Sequence, residues 1–176
     1  MVQTVLDLDH YIRNVPDFPK PGILFKDITP LLASPEAFAA AIEALASPFR
    51  AAGITHVAAV ESRGFIFGGP VAQQLGVGFV PIRKPGKLPW TTIRNEYVLE
   101  YGTDVLEMHD DALTRGDRVL IVDDVLATGG TAAAAVRLAQ DLGADVVACA
   151  IVIELKFLGG RSKLGETPLH ALLAYD

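Results

Sequence analysis

Apolar residues along the 176-residue chain fall into short continuous runs, each followed by a polar or glycine-rich turn and then by an Ala- or Leu-rich segment of helical spacing. Three stretches repeat this plan, which is the pattern of an α/β domain with a parallel sheet. THVAAV, residues 55–60, predicts a strand, ESRG a turn, residues 65–75 a helix closed by Gly76, and GFVPI the next short strand. RVLIV, residues 118–122, predicts another strand, with a helix over 131–142, Gly143 as its C-cap, and a strand over 146–155. Upstream, Ser34 is an N-cap with Pro35 in the first helical position. Helical spacing then continues to Gly53, with Pro48 expected to kink or divide the helix. The prediction is one domain over residues 1–176: an α/β fold with a parallel sheet flanked by helices.

Two segments break the plan. Residues 82–104 join a basic Pro/Gly start to a stretch that alternates polar and apolar side chains, which fits a flexible β-ribbon arm. Insertions of that length in compact domains are often lids or binding loops. Residues 1–33 are irregular, and PDFPKPGILFKDITP holds four of the eleven prolines, so this part is expected to form a hood over one end of the sheet.

Composition narrows the function classes. Apolar residues make up 51% and charged residues 20%, and no apolar run approaches the ~20 residues of a membrane span. The amino terminus lacks the basic start and apolar middle of a secretory signal, so a cytoplasmic protein without membrane partners is expected. A formal charge of −6 argues against nucleic-acid binding and makes any phosphate chemistry local. Cys149 lies in the apolar DVVACAIVIEL and reads as core. His10, His56, His109 and His170 lack metal-ligand spacing, and Asp110 and Asp111 read as cap or solvent residues. Trp90, on the arm, suits either a ligand or a packing contact.

The chemistry gathers at predicted strand ends, where parallel sheets bind ligands. In VLIVDDVLATGGT, residues 119–131, two acids precede a Thr-Gly-Gly-Thr turn that opens a helix. Backbone N–H groups of such a turn, with hydroxyls from Thr128 and Thr131, form a cradle for one terminal phosphate. No Lys follows the glycines, so this is not a Walker loop. Asp123 and Asp124 could hold a metal or accept hydrogen bonds from vicinal hydroxyls. Successive strand side chains point apart, which disfavours the metal and makes a ribose phosphate the economical reading. A second strand end carries Glu61, Ser62 and Arg63, and the arm carries Arg83, Lys84 and Lys87. Together they suit a second, more highly charged phosphate group.

VLIVDDVLATGGT resembles the phosphoribosyl-pyrophosphate (PRPP) signature of the type I phosphoribosyltransferases. Similarity to the adenine-using branch extends through FKDITPLL, ESRGFIFGGPVAQQLGVGFVPIRKPGKLP, YVLEYGTDVLEMHDDAL and VIELKFLGGRSKLGETPLHALL, nearly the whole chain. The resemblance implies the type I phosphoribosyltransferase fold and a purine-salvage reaction in which adenine and PRPP give AMP and pyrophosphate. Ala127, Thr128, Gly129, Gly130 and Thr131 would hold the 5'-phosphate, and Asp123 and Asp124 the ribose hydroxyls. Glu61, Ser62, Arg63, Lys84 and Lys87 would serve pyrophosphate, with a Glu61–Ser62 peptide that in this family can be cis. Glu100, beside Tyr101, would be the proton-transfer acid. Phe25 and Leu155 would sandwich adenine while the main chain at Lys26 reads its edge. Similar enzymes can carry Arg in place of Lys26 and Asp in place of Glu61. Mg2+ would enter with PRPP or pyrophosphate without direct protein ligands, and a homodimer is implied. Alternatives are another purine base, such as xanthine, hypoxanthine or guanine, or a non-catalytic sensor of PRPP or purine.

Overall fold

The computed structural model describes residues 6–98 and 103–176. The chain divides into two compact units, residues 1–44 and 45–176. In the first, the expected hood segment is more regular than its prolines suggest. Strands β1 (Arg13–Pro16) and β2 (Leu24–Asp27) pair antiparallel. Pro19 and Pro21 fall in the connection, where no ladder hydrogen bond is needed. The connection is closed by the Gly22 N–H, which donates to Asp17 Oδ1 at 2.8 Å. Asp27 then accepts the N–H and hydroxyl of Thr29 at 2.9 and 2.7 Å, starting the short helix α1 (Thr29–Ala33). Ser34 accepts the Ala37 N–H at 3.3 Å and starts α2 (Pro35–Ala46). Pro48 ends α2 as expected, and a 3-10 turn follows over Ser47–Phe49.

The second unit is built on a five-stranded sheet of β3 (His56–Val60), β4 (Gly78–Ile82), β7 (Arg118–Leu126), β8 (Asp145–Leu155) and β9 (Leu169–Tyr175). Its order is β4-β3-β7-β8-β9, every pair parallel. Helix α3 (Arg63–Leu75) connects β3 to β4, and α4 (Gly130–Asp141) connects β7 to β8. The chain winds outward in one direction from β3 and in the other from β7. The switch point of the sheet therefore lies between them, at their carboxyl ends. Val57 to Ala59, Val119 to Val122 and Ala150 to Ile153 are buried, as strands covered on both faces require. Gly68 brings α3 close to β3, since a Cβ there would lie 2.6 Å from the Ala59 Cβ.

Three boundaries differ from expectation. β7 does not stop at residue 122 but runs through both aspartates to Leu126, because β8 offers it backbone partners as far as Glu154. α3 starts at Arg63, inside the expected turn. The ribbon is present as antiparallel β5 (Thr92–Val98) and β6 (Thr103–His109), yet it reaches beyond residue 104, and Leu106 and Met108 belong to the core cluster. One face of β6 is thus core. No described helix is long and apolar enough to cross a membrane.

Ile121 is fully buried in the middle of β7. Replacing it with Ala should lower unfolding stability by about 2–5 kcal/mol in urea titrations, and a loss below about 1 kcal/mol would contradict this packing.

Candidate active site

Parallel pairing of β3 with β7, His56 beside Val119 through Ala59 beside Val122, aligns two strand ends that are far apart in sequence. Between them lies a cavity of about 380 Å3, lined by Val60, Glu61, Ser62 and Arg63 on one side and by residues of the 123–132 stretch on the other. Both sequence-predicted phosphate sites therefore face one space. A larger cavity of about 640 Å3 lies along α4, β5 and the 163–167 tail, and among the described residues Gly130 is the one predicted site residue that reaches it. The Glu61–Arg63 loop and the Asp123–Thr131 stretch gather at the smaller one.

The turn into α4 depends on its glycines. Gly129 has φ 79°, a left-handed value that favours glycine, and caps α4. The first N–H groups of a helix have no intrahelical acceptor, so those of α4 point toward the cavity end of the turn. Thr131 Oγ1 donates to the Tyr97 hydroxyl at 3.2 Å, which ties the turn to the ribbon.

The two aspartates have different surroundings. Asp124 is buried, and its Oδ2 accepts from Arg63 Nε. That bond uses Nε and leaves the terminal nitrogens of Arg63 for a ligand. Asp123 lies beside Gly64, where a Cβ would meet its Oδ1 at 2.8 Å, so only glycine fits there. Burial, and then the charge of Asp124, push the Asp123 carboxyl well above the usual carboxylate range. Its Oδ1 also accepts the Asp124 N–H at 2.9 Å. Among the described residues no group of three or more His, Cys, Asp or Glu could hold a metal ion.

Glu61 is engaged from the arm. Its carboxylate accepts Arg83 Nε and Nη2 at 3.1 and 2.9 Å and the Lys84 N–H at 2.7 Å, and it pairs with Lys87 Nζ at 3.1 Å. Burial alone would raise its pKa, but these bonds outweigh it and hold the carboxyl low. The Glu61–Ser62 peptide is cis. Lys84 Nζ pairs with Asp104 at 2.9 Å, which raises the lysine's pKa and lowers the aspartate's. Neither Lys84 nor Lys87 lines the cavity. Leu155 ends β8, one residue beyond the Leu126–Glu154 pairing. In the first unit, Phe25 stands edge-to-face with Phe18 at 5.2 Å, and Lys26 Nζ donates to Asn14 at 2.7 Å. Glu100 and Tyr101 lie outside the described residues.

Sequence reasoning passed over Tyr97, Asp104, Glu107 and Glu154. Glu107 is buried, pairs with Arg94 at 2.7 Å and accepts the Gly86 N–H at 3.1 Å. The available signal was an acid inside an apolar run, which demands a buried cationic partner. Trp90 is 64% exposed. Asp110 and Asp111 are exposed in a turn that starts no helix.

The phosphoribosyl transferase domain profile matches residues 27–164, and the chain belongs to that family. The chain is 54% identical over 170 residues to the adenine phosphoribosyltransferase of Rhodopirellula baltica, covering 97% of this chain and 82% of that one. The crystal structure of adenine phosphoribosyltransferase from Rhodothermus marinus superimposes with TM-score 0.90 at 57% identity, over 96% of both chains. The Saccharomyces cerevisiae enzyme, complexed with adenine and D-2,5-dideoxy-2,5-imino-altritol 1,6-bisphosphate, gives 0.89 at 44% identity, covering 94% of this chain and 96% of that one. Within the family the chain groups with the adenine phosphoribosyltransferases.

Cys149 is fully buried, and burial followed by the charge of Asp123 pushes its thiol up to about 12. The thiolate is the reactive form. Native protein at pH 8 should resist iodoacetamide, whereas urea-unfolded protein should be labelled within minutes. Equal labelling of both, read by intact mass, would contradict the burial.

Proposed function

We propose that the chain transfers the 5-phosphoribosyl group of PRPP to N9 of adenine, forming AMP and releasing pyrophosphate. The observation that carries this reading is the single cavity shared by the Asp123–Thr131 stretch and the Glu61–Arg63 loop. One ligand with a terminal phosphate, a ribose and a diphosphate matches that order of groups. In this reading the Ala127–Thr131 turn binds the 5'-phosphate through its N–H groups and hydroxyls. Asp123 and Asp124 accept from the ribose hydroxyls. Arg63, anchored on Asp124 by Nε, offers its terminal nitrogens to the diphosphate, and Ser62 offers backbone and hydroxyl groups.

Glu61 has a positioning role here. A carboxylate repels diphosphate, but one that gathers Arg83, Lys84 and Lys87 brings positive charge to the mouth of the loop. Adenine recognition is assigned by family resemblance to Phe25, Lys26 and Leu155, and proton transfer at adenine to Glu100. As the C1'–O bond to diphosphate breaks, positive charge builds on the ribose ring. The Asp124 carboxylate can balance that charge, and the held geometry keeps nucleophile and leaving group in line. Mg2+ would be carried by oxygens of the diphosphate and ribose, where it neutralises leaving-group charge. Asp124 already serves Arg63, so these side chains do not suit an all-protein magnesium cage. The assembly proposed is a homodimer, the commonest soluble oligomer. Its charged substrates and products do not cross membranes unaided, which supports a cytoplasmic location.

Incubation with PRPP, Mg2+ and one base at a time, following pyrophosphate release, should give rapid turnover with adenine and little with hypoxanthine, guanine, xanthine or orotate. Preference for another base, or no turnover, rejects the proposal. Glu100→Gln should lower kcat about 100-fold or more with PRPP affinity largely kept, and an unchanged kcat would remove Glu100 from proton transfer. Asp123→Asn should weaken PRPP binding about tenfold, the loss expected for one hydrogen bond to a charged or buried carboxyl. Titration calorimetry reads that change.

A further inference from the structure

The tail that follows β8 touches the phosphate turn from behind. Glu154, buried near the end of β8, takes Arg161 in a two-pronged bond, Nε to Oε1 at 2.9 Å and Nη2 to Oε2 at 2.7 Å. A buried carboxylate is costly unless paired, and the fork geometry of Arg fixes the direction as well as the distance of its partner. The bond closes the loop between the two residues. Within it Gly159 turns at φ 66°, and its carbonyl accepts the Ser162 hydroxyl at 2.8 Å. The closed loop sets Gly160 against the turn that caps α4.

That contact is backbone on backbone. A Cβ on Gly129 would lie 2.2 Å from the Gly160 carbonyl oxygen. One on Gly160 would lie 2.2 Å from the Ala127 oxygen and 2.8 Å from the Gly129 nitrogen. No flexible side chain lies between to absorb a shift, so a movement of Gly160 passes directly to Ala127 and Gly129. The basic arm is held elsewhere, on Glu61 and Glu107.

We propose that the Glu154–Arg161 pair is a clasp that presses Gly160 against Ala127 and Gly129 and so sets the shape of the 5'-phosphate cradle. Glu154, Gly160 and Arg161 are then positioning residues for the phosphate end of the donor. This rests on reading the turn as the 5'-phosphate cradle. The bond from Arg161 also holds the Glu154 carboxyl below the usual range, so the pair is intact at neutral pH.

The test is titration calorimetry on the full chain with ribose 5-phosphate and, separately, magnesium pyrophosphate, backed by steady-state kinetics. Glu154→Gln removes the charge and keeps the shape, while Arg161→Lys keeps the charge and loses the fork. Each should weaken ribose 5-phosphate about tenfold and leave pyrophosphate within about twofold, with KM for PRPP rising more than kcat falls. Gly160→Ala should lose more, and if it fails to fold the other two variants decide. Unchanged ribose 5-phosphate binding in both, or equal losses for the two probes, overturns the clasp. Thr131→Val separates the two levels: ribose 5-phosphate binding that survives it overturns the cradle reading itself. Binding lost in Thr131→Val but unchanged in Glu154→Gln and Arg161→Lys overturns the clasp alone.

Discussion

Parallel pairing of β3 with β7 is the constraint on which the site depends. Neither strand end is a site by itself. Glu61–Arg63 is a loop opening a helix, and Asp123–Thr131 is a strand running into a glycine turn. Pairing places them side by side at the one point in the sheet where the crossovers diverge and leave a crevice open. Residues that stabilise the pair, among them Val57, Ala59, Leu120 and Val122, are all buried. The cost of shaping the cavity is met in the core, and the cavity residues can be chosen for chemistry.

A protein of net charge −6 that handles polyanions must place its cations with care. Four carboxylates with little exposure have a basic partner: Asp124 has Arg63, Glu61 has Arg83 and Lys87, Glu107 has Arg94, and Glu154 has Arg161, whereas Asp123 accepts the Asp124 N–H. Removing one member of a buried pair typically costs about 3–5 kcal/mol, because the other is left charged and unpaired. The half-exposed arginines and lysines here are screened by water, so their pairs contribute less. Their main effect is direction. A cation anchored through one edge presents the other edge to a ligand, which a freely rotating surface lysine does not.

Much of this was legible in the sequence, and the failures have definite causes. β3, β4, α3 and α4 were predicted within a few residues because buried parallel strands are continuous apolar runs and helices carry their own caps. The extent of β7 was misjudged since two acids look like the end of a buried strand. Backbone pairing with β8 carries the strand on, and the carboxylates leave it sideways to Arg63 and Gly64. The glycine turn and Arg63 stood out in the sequence because glycine turns and strand-end arginines have local signatures, and both line one cavity. Tyr97, Asp104 and the Glu154–Arg161 pair did not, because their partners are set by tertiary folding. Glu61 was expected to serve pyrophosphate, and its carboxylate accepts from Arg83, the Lys84 N–H and Lys87, partners that no local pattern announces.

The two ends of the donor make different demands on the protein. The 5'-phosphate and ribose remain attached to one another throughout the reaction, so their grip gains from rigidity. In the proposed clasp, contact through glycines beside a forked ion pair would supply that rigidity, since backbone has no rotamers to change. The diphosphate must be bound and then released. The cations proposed to meet it lie in the turn ahead of the ribbon, their side chains held by Glu61 at Arg83 and Lys87 and by Asp104 at Lys84. The cationic ends of these bonds are partly exposed, so they can exchange toward water or another anion more readily than a fully buried pair. In the proposed reaction, a stiff cradle beside displaceable cations would let the diphosphate leave while the 5'-phosphate of the nucleotide is still gripped.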